Sequence, residues 1–130
     1  DLIQREPLRS HVVRTGYVSD EQLRHLYRGA SALVYPSLYE GFGIPPLEAM
    51  ACGTPVICSS ASSIPEVVGD AGLYVDPYSI DSMHRAMSTL TGDEELRRSM
   101  VTRGKARLAE FSWCRAANEM MDLYEELLQS

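Results

Sequence analysis

The sequence predicts an α/β fold, a parallel sheet with helices on both faces, and three observations predict it. Short apolar runs alternate with stretches of helical periodicity. The runs, such as Ala32-Leu33-Val34-Tyr35, lack the polar alternation of a strand with one wet face, so they suit strands buried on both sides. Pro36, Gly53 and Pro77 punctuate the junctions, where chain direction must change.

The elements follow in order. His11–Thr15 reads as a strand closed by Gly16. Ser19 is an N-cap with Gln22 in the reciprocal capping-box position, and Leu23, Leu26, Tyr27 and Ala30 mark one helix face. Ala32–Tyr35 is the second strand, and a loop over Ser37–Pro45 follows it. Pro46 at the first helical position and Gly53 as the stop predict a short helix over Pro46–Cys52. Thr54–Cys58 is a third strand, Ser59–Ser63 a loop of small residues, Pro65–Val68 one helical turn, and Gly72–Asp76 a fourth strand. Ser79 caps a helix lined by Ile80, Met83, Met87 and Leu90. Thr91 and Glu94 box the start of the next, where Asp93–Arg97 and Glu94–Arg98 are spaced to pair. A last helix from Ser112 carries an apolar stripe of Trp113, Ala116, Ala117, Met120, Tyr124, Leu127 and Leu128, and the methionines of these three helices are expected as core filler.

The 130 residues suit one domain, taken as 1–130, and 45% apolar against 23% charged residues excludes bulk disorder. A net charge of −6, with eleven scattered Arg and the single Lys105, argues against nucleic acid as a partner. No apolar run approaches the length of a membrane span. Cys52, Cys58 and Cys114 lack zinc spacing and read as reduced core thiols, and His11, His25 and His84 form no metal-holding pattern, so no metal site is expected. The thiols point to a cytoplasmic chain. The start at Asp1-Leu2-Ile3-Gln4-Arg5 reads as that of a piece cut from a longer protein.

Ligands of parallel sheets bind beyond the carboxyl ends of the strands. That rim comprises Gly16–Ser19, Ser37–Pro46, Ser59–Pro65 and Asp76–Ser79. The informative segment is Pro36–Met50. Gly41 and Gly43 let the backbone approach a ligand closely. With Pro46 at N1 and Pro45 at the N-cap, the N–H groups of Leu47 and Glu48 would be bare donors on the rim, suited to phosphate or hydroxyl groups. Glu48 at N3 gains from the helix dipole, or accepts two hydrogen bonds from a vicinal diol such as ribose. Glu40, at the mouth of the glycine loop, can orient a sugar hydroxyl or favour positive charge on a reacting carbon. On these residues alone a hydrolase, a transferase and a binding module all stand.

Glu40 and Glu48, seven residues between them, lie in Glu-Gly-Phe-Gly-Ile-Pro-Pro-Leu-Glu-Ala-Met-Ala-Cys-Gly-Thr-Pro-Val. That segment resembles the C-terminal nucleotide-sugar-binding domain of the retaining glycosyltransferases that include sucrose and glycogen synthases and many mannosyltransferases. The likeness runs from about Thr15 to Trp113 and takes in Gly16-Tyr17-Val18-Ser19, Tyr35-Pro36-Ser37, Pro65-Glu66-Val67-Val68-Gly69-Asp70 and Phe111-Ser112-Trp113.

The resemblance implies one Rossmann-like domain of a two-domain enzyme (the GT-B type), incomplete on its N-terminal side. The donor would be a nucleotide-diphosphate sugar, needing no metal or other cofactor. The acceptor would be a hydroxyl, of a saccharide or lipid-linked glycan, bound through an N-terminal domain absent here. Glu48 would hold the ribose, and Glu40 would sit at the transferred sugar as the catalytic carboxylate, more for positioning and charge than as a nucleophile. Gly41, Phe42, Gly43 and Ile44 would line sugar and diphosphate, with Leu47 near the phosphates. Gly16, Tyr17 and Val18 would border the base. Retention would follow same-face attack, the leaving diphosphate helping to take the acceptor proton. The Arg and Lys that neutralise the diphosphate in the family lie upstream of Asp1, and Arg14, Arg24 and Arg28 do not replace them. The isolated chain is therefore expected to be inactive, and the alternatives are a subunit or regulatory module completing a partner chain, or an inactive remnant. In the family's strand order 3-2-1-4-5-6 the chain would supply strands 3 to 6. His11–Thr15 then either stays displaced, leaving an open edge prone to self-association, or pairs directly with Ala32–Tyr35 and closes the gap.

Overall fold

The computed structural model describes residues 5–129, so the reading of the Asp1–Gln4 start lies outside the described residues. Its sheet has the order β1-β2-β3, with β1 Leu33–Tyr35, β2 Val56–Ser59 and β3 Gly72–Val75. Both pairings are parallel, Val34 opposite Ile57 and Ile57 opposite Leu73. The helices are α1 Asp20–Gly29, α2 Ile44–Ala51, α3 Ile64–Val68, α4 Ile80–Gly92, α5 Glu94–Leu108 and α6 Trp113–Gln129.

The strand period of two sorts β2 onto two cores. Val56 and Cys58 pack with Ala49 and Met50 of α2 and Ile64, Val67 and Val68 of α3. Ile57 joins Val75, Ala86 and Leu90 of α4, and Met100 of α5 on the other side. All four residues of β2 are buried, but the expected burial of Ala32–Tyr35 on both faces fails. Val34 of β1 is exposed, as is Tyr74 of β3, because both strands lie at the edges of the described sheet. Burial pushes the Cys58 thiol up to about 12, so it stays protonated in the core. Cys52 is only half-buried and Cys114 is exposed, so one of the three expected core thiols is a core residue.

Two cap readings hold and one fails. Ser19 and Gln22 form a reciprocal capping box on α1, and Ser79 accepts from the Ser82 N–H at 3.1 Å at the start of α4. The Thr91–Glu94 box does not form. Helix α4 runs on to Gly92, and Asp93, two residues beyond Thr91 and directly before α5, caps it by accepting from the Leu96 N–H at 2.8 Å. Arg97 pairs with Glu94 rather than Asp93, and Arg98 also reaches Glu94, both at 3.4 Å.

The expected strand His11–Thr15 is absent. Residues 12–16 are irregular, Val13 is 86% exposed, and no described strand lies beside them. A strand exists only through its ladder, and among the described residues β1 pairs with β2 on one side and with no strand on the other. The apolar stripe of α6 likewise buries none of its residues, and Met120 and Met121 are more than half exposed. Of the helical methionines expected as core filler, Met100 is buried and Met83 packs against the same core, whereas Met87, Met120 and Met121 are exposed.

Candidate functional site

The site begins where β1 ends. Parallel pairing brings the carboxyl ends of β1 and β2 to one rim, so the loops after Tyr35 and after Ser59 lie side by side. Ser59, fully buried, ties them by donating its hydroxyl to the Ser37 carbonyl.

Glu40 is held from below by two hydroxyls. Tyr35 donates to Oε1 at 2.5 Å and Ser37 to the same oxygen at 2.7 Å. Tyr35 supplies the first and larger effect, Ser37 the second, and together they hold the Glu40 carboxyl below its usual range despite some opposing desolvation. The Tyr35 phenol moves the other way, up to about 12, chiefly because its proton is engaged by the carboxylate. Both bonds end on Oε1, and Oε2 accepts none from the described residues. A half-buried, oriented anion with one oxygen uncommitted is suited to contact a polar ligand or to favour nearby positive charge.

This geometry carries a pH prediction. Glu40 has a depressed pKa, so its hydrogen bonds favour the folded site above the ordinary carboxyl range and are lost as pH falls through the lowered value. Tyr35→Phe removes the largest cause, so Glu40 should protonate at higher pH than in the parent. An NMR titration of the Glu40 carboxyl carbon reads this directly. An unmoved midpoint would show that the tyrosine does not tune it.

Glu48 stands apart, on the exposed side of α2, and accepts from the Tyr27 hydroxyl of α1 at 3.3 Å. Desolvation first, then the Glu48 charge and hydrogen bond, push Tyr27 up to about 12. Thr54 donates to the Tyr27 carbonyl at 2.6 Å, anchoring this end of α1 against the start of β2.

Helix α2 starts two residues earlier than Pro46, and its end is at Ala51. Its N-cap is Gly43, not Pro45, with φ 108° and ψ 50°, a left-handed conformation natural to glycine. A Cβ there would also come within 2.9 Å of Ile64 Cδ1. Pro45 and Pro46 therefore fall at N2 and N3, where their missing N–H groups remove two of the helix's orphan donors. The N–H groups expected to be bare shift accordingly. Those of Leu47 and Glu48 fall where Gly43 and Ile44 carbonyls accept them within the helix, leaving the N–H groups of Gly43 and Ile44 as the open donors. Glu48 lies in the second turn, so the first-turn dipole argument does not apply to it.

Of the other expected site residues, Gly41, Phe42 and Ile44 are exposed on the rim, Leu47 is half-buried, and Gly16 takes φ 64°. Tyr17 is 97% exposed, while Val18 lines a shallow apolar recess with Thr15, Gln22, His25 and Leu26. Sequence reading passed over Tyr27, Tyr35, Ser37, Ser62 and Ser63. Tyr27 and Tyr35 read as apolar positions of a helix and a strand, and the three serines as small residues of rim loops. Among the described residues no group of His, Cys, Asp or Glu is placed to hold a metal, and no helix is long and apolar enough to cross a membrane.

Comparison with known proteins places this geometry. Residues 1–107 match the family model for glycosyl transferases group 1. The chain is 43% identical over 126 residues to the O-antigen chain mannosyltransferase B of Escherichia coli, covering 97% of this chain and 33% of that protein. It is 38% identical over 122 residues to the serotype-specific mannosyltransferase WbdA of Escherichia coli, 94% of this chain and 15% of that one. A sucrose-phosphate synthase from Thermosynechococcus elongatus superposes with a TM-score of 0.87 at 33% identity, over 98% of this chain and 33% of the synthase. That match assigns the parallel sheet and its flanking helices to a partial Rossmann-like domain of the GT-B type. The chain thus spans a third or less of the length of these relatives.

Proposed function

The chain belongs to the group 1 glycosyl transferases, and from that premise we propose that it is the donor-binding part, over 1–130, of a retaining enzyme that moves a sugar from a nucleotide-diphosphate sugar to a hydroxyl acceptor. The observation that carries the proposal is the fixed Glu40 carboxylate at the carboxyl end of β1. Glu40 faces the transferred sugar and stabilises positive charge developing at its anomeric carbon, and Glu48, oriented by Tyr27, takes the ribose hydroxyls. The loop Gly41–Ile44 supplies backbone groups to sugar and diphosphate, with Leu47 behind it, while Gly16–Val18 borders the base. Attack and departure share one face, so the leaving diphosphate helps to take the acceptor proton. The names of the mannosyltransferase relatives support mannose as the sugar transferred.

The ribose assignment makes its own prediction. A diol on a carboxylate forms charge-assisted hydrogen bonds worth about 1.5–3 kcal/mol each. In a full-length transferase carrying this chain, Glu48→Ala should weaken nucleoside diphosphate binding about tenfold or more. Calorimetric titration with guanosine and uridine diphosphates checks it. Parent-like affinity in Glu48→Ala would remove the ribose role.

A further inference from the structure

The glycine loop is fastened from outside the Glu40–Glu48 segment, by two serines that each give up a local preference to do it. Ser63 is the N-cap of α3, where serine ordinarily accepts a hydrogen bond from the helix's first turn. Here it makes no such cap bond. Its hydroxyl lies 2.9 Å from the Phe42 carbonyl and 3.1 Å from that of Glu40. Ser62 has φ 56°, the sole positive φ among the described non-glycine residues, in a region costly for a side chain. Its hydroxyl reaches the Glu40 carbonyl at 2.8 Å. Each hydroxyl has one proton, so the shorter contacts assign Ser62 to Glu40 and Ser63 to Phe42.

The two carbonyls flank Gly41. A Cβ at Gly41 would touch nothing within 4 Å, so neither packing nor a side chain restrains the backbone there. The strut behind the serines is firm: Arg107 of α5 donates to the Glu66 and Val67 carbonyls at the far end of α3, and Arg103 to the Asp70 carbonyl at 2.5 Å. Phe42 also meets the Phe111 ring edge-on, with centroids 6.0 Å apart.

We propose that Ser62 and Ser63 are positioning residues for sugar transfer, a pair of hydroxyl clamps that fix the backbone on both sides of Gly41 and thereby aim the Glu40 carboxylate. The clamp rests on the donor-site reading of Glu40. It acts on turnover and leaves the ribose contact at Glu48 alone.

The test uses the full-length transferase with guanosine and uridine diphosphate sugars as donors. Ser63→Ala should lower kcat about five- to tenfold, the size of one net hydrogen bond. The Kd for the free nucleoside diphosphate should stay within about twofold, and Ser63→Thr should keep most of the turnover. Because the serine works through Glu40, adding Ser63→Ala to Glu40→Ala should cost little more, whereas a merely structural defect would add in full. Parent-like kcat in Ser63→Ala beside a crippled Glu40→Ala overturns the clamp only. So does a loss that adds in full to that of Glu40→Ala. Parent-like kcat in Glu40→Ala overturns the donor-site reading and the clamp with it. Should Ser63→Ala fail to fold, Ser62→Gly carries the same test, since glycine accepts the positive φ while the hydroxymethyl group that makes the clamp is lost.

Discussion

Replacing Glu40 by alanine should lower kcat about a hundredfold while nucleoside diphosphate affinity stays within about twofold. The asymmetry follows from where the carboxylate acts. Departure of a diphosphate leaves positive charge on the sugar, which a fixed anion stabilises more in the transition state than in the ground state. The site is already organised for it: Tyr35 and Ser37 fix Oε1 in advance, so little reorganisation is needed as charge develops. Glu40→Gln separates charge from shape. The amide oxygen can still accept from Tyr35 and Ser37, but it brings no charge, so it should be nearly as slow as Glu40→Ala. Parent-like turnover in Glu40→Gln would reduce the residue to a hydrogen-bonding part. A parallel loss of nucleotide affinity in Glu40→Ala would show that the substitution had disturbed the whole loop.

Ile57→Ala should cost about 2–5 kcal/mol of unfolding free energy, a large share of a small domain's total. Ile57 is fully buried on the central strand and packs with Val75, Ala86, Leu90 and Met100. Its methyl groups fill space between two neighbouring strands and two helices, which cannot collapse into the cavity together. Val13→Ala supplies the contrast. With Val13 86% exposed, its cost should stay within about 0.5 kcal/mol. Urea unfolding of this chain measures both. A cost above about 1 kcal/mol at Val13 would mean that residues 11–15 are packed after all. A cost below about 1 kcal/mol at Ile57 would contradict the close-packed core.

What the sequence carried by itself was local or periodic. The unbroken apolar runs identified β1, β2 and β3, although only β2 is buried along its whole length. The Ser19–Gln22 box needs only four consecutive residues, and it forms. Glu40 and Glu48 stood out because their spacing and neighbours are themselves a linear pattern.

Other features depended on partners remote in the chain. His11–Thr15 has the composition of a strand, but a strand needs a neighbour to take its backbone hydrogen bonds, and the described sheet provides none. The paired prolines suggested a helix from Pro46, whereas Gly43 turns left-handed against Ile64 and starts it at Ile44. The Ser62 and Ser63 clamps cross from one strand's loop to the next, over 22 and 21 residues for their assigned bonds. Sequence determined which segments could be strands and which residues could carry the chemistry, since both are written in residue type and spacing. Only the parallel pairing of β1 with β2 decided what fixes the backbone around Glu40, because hydrogen bonds between loops exist only after the sheet has brought their ends together.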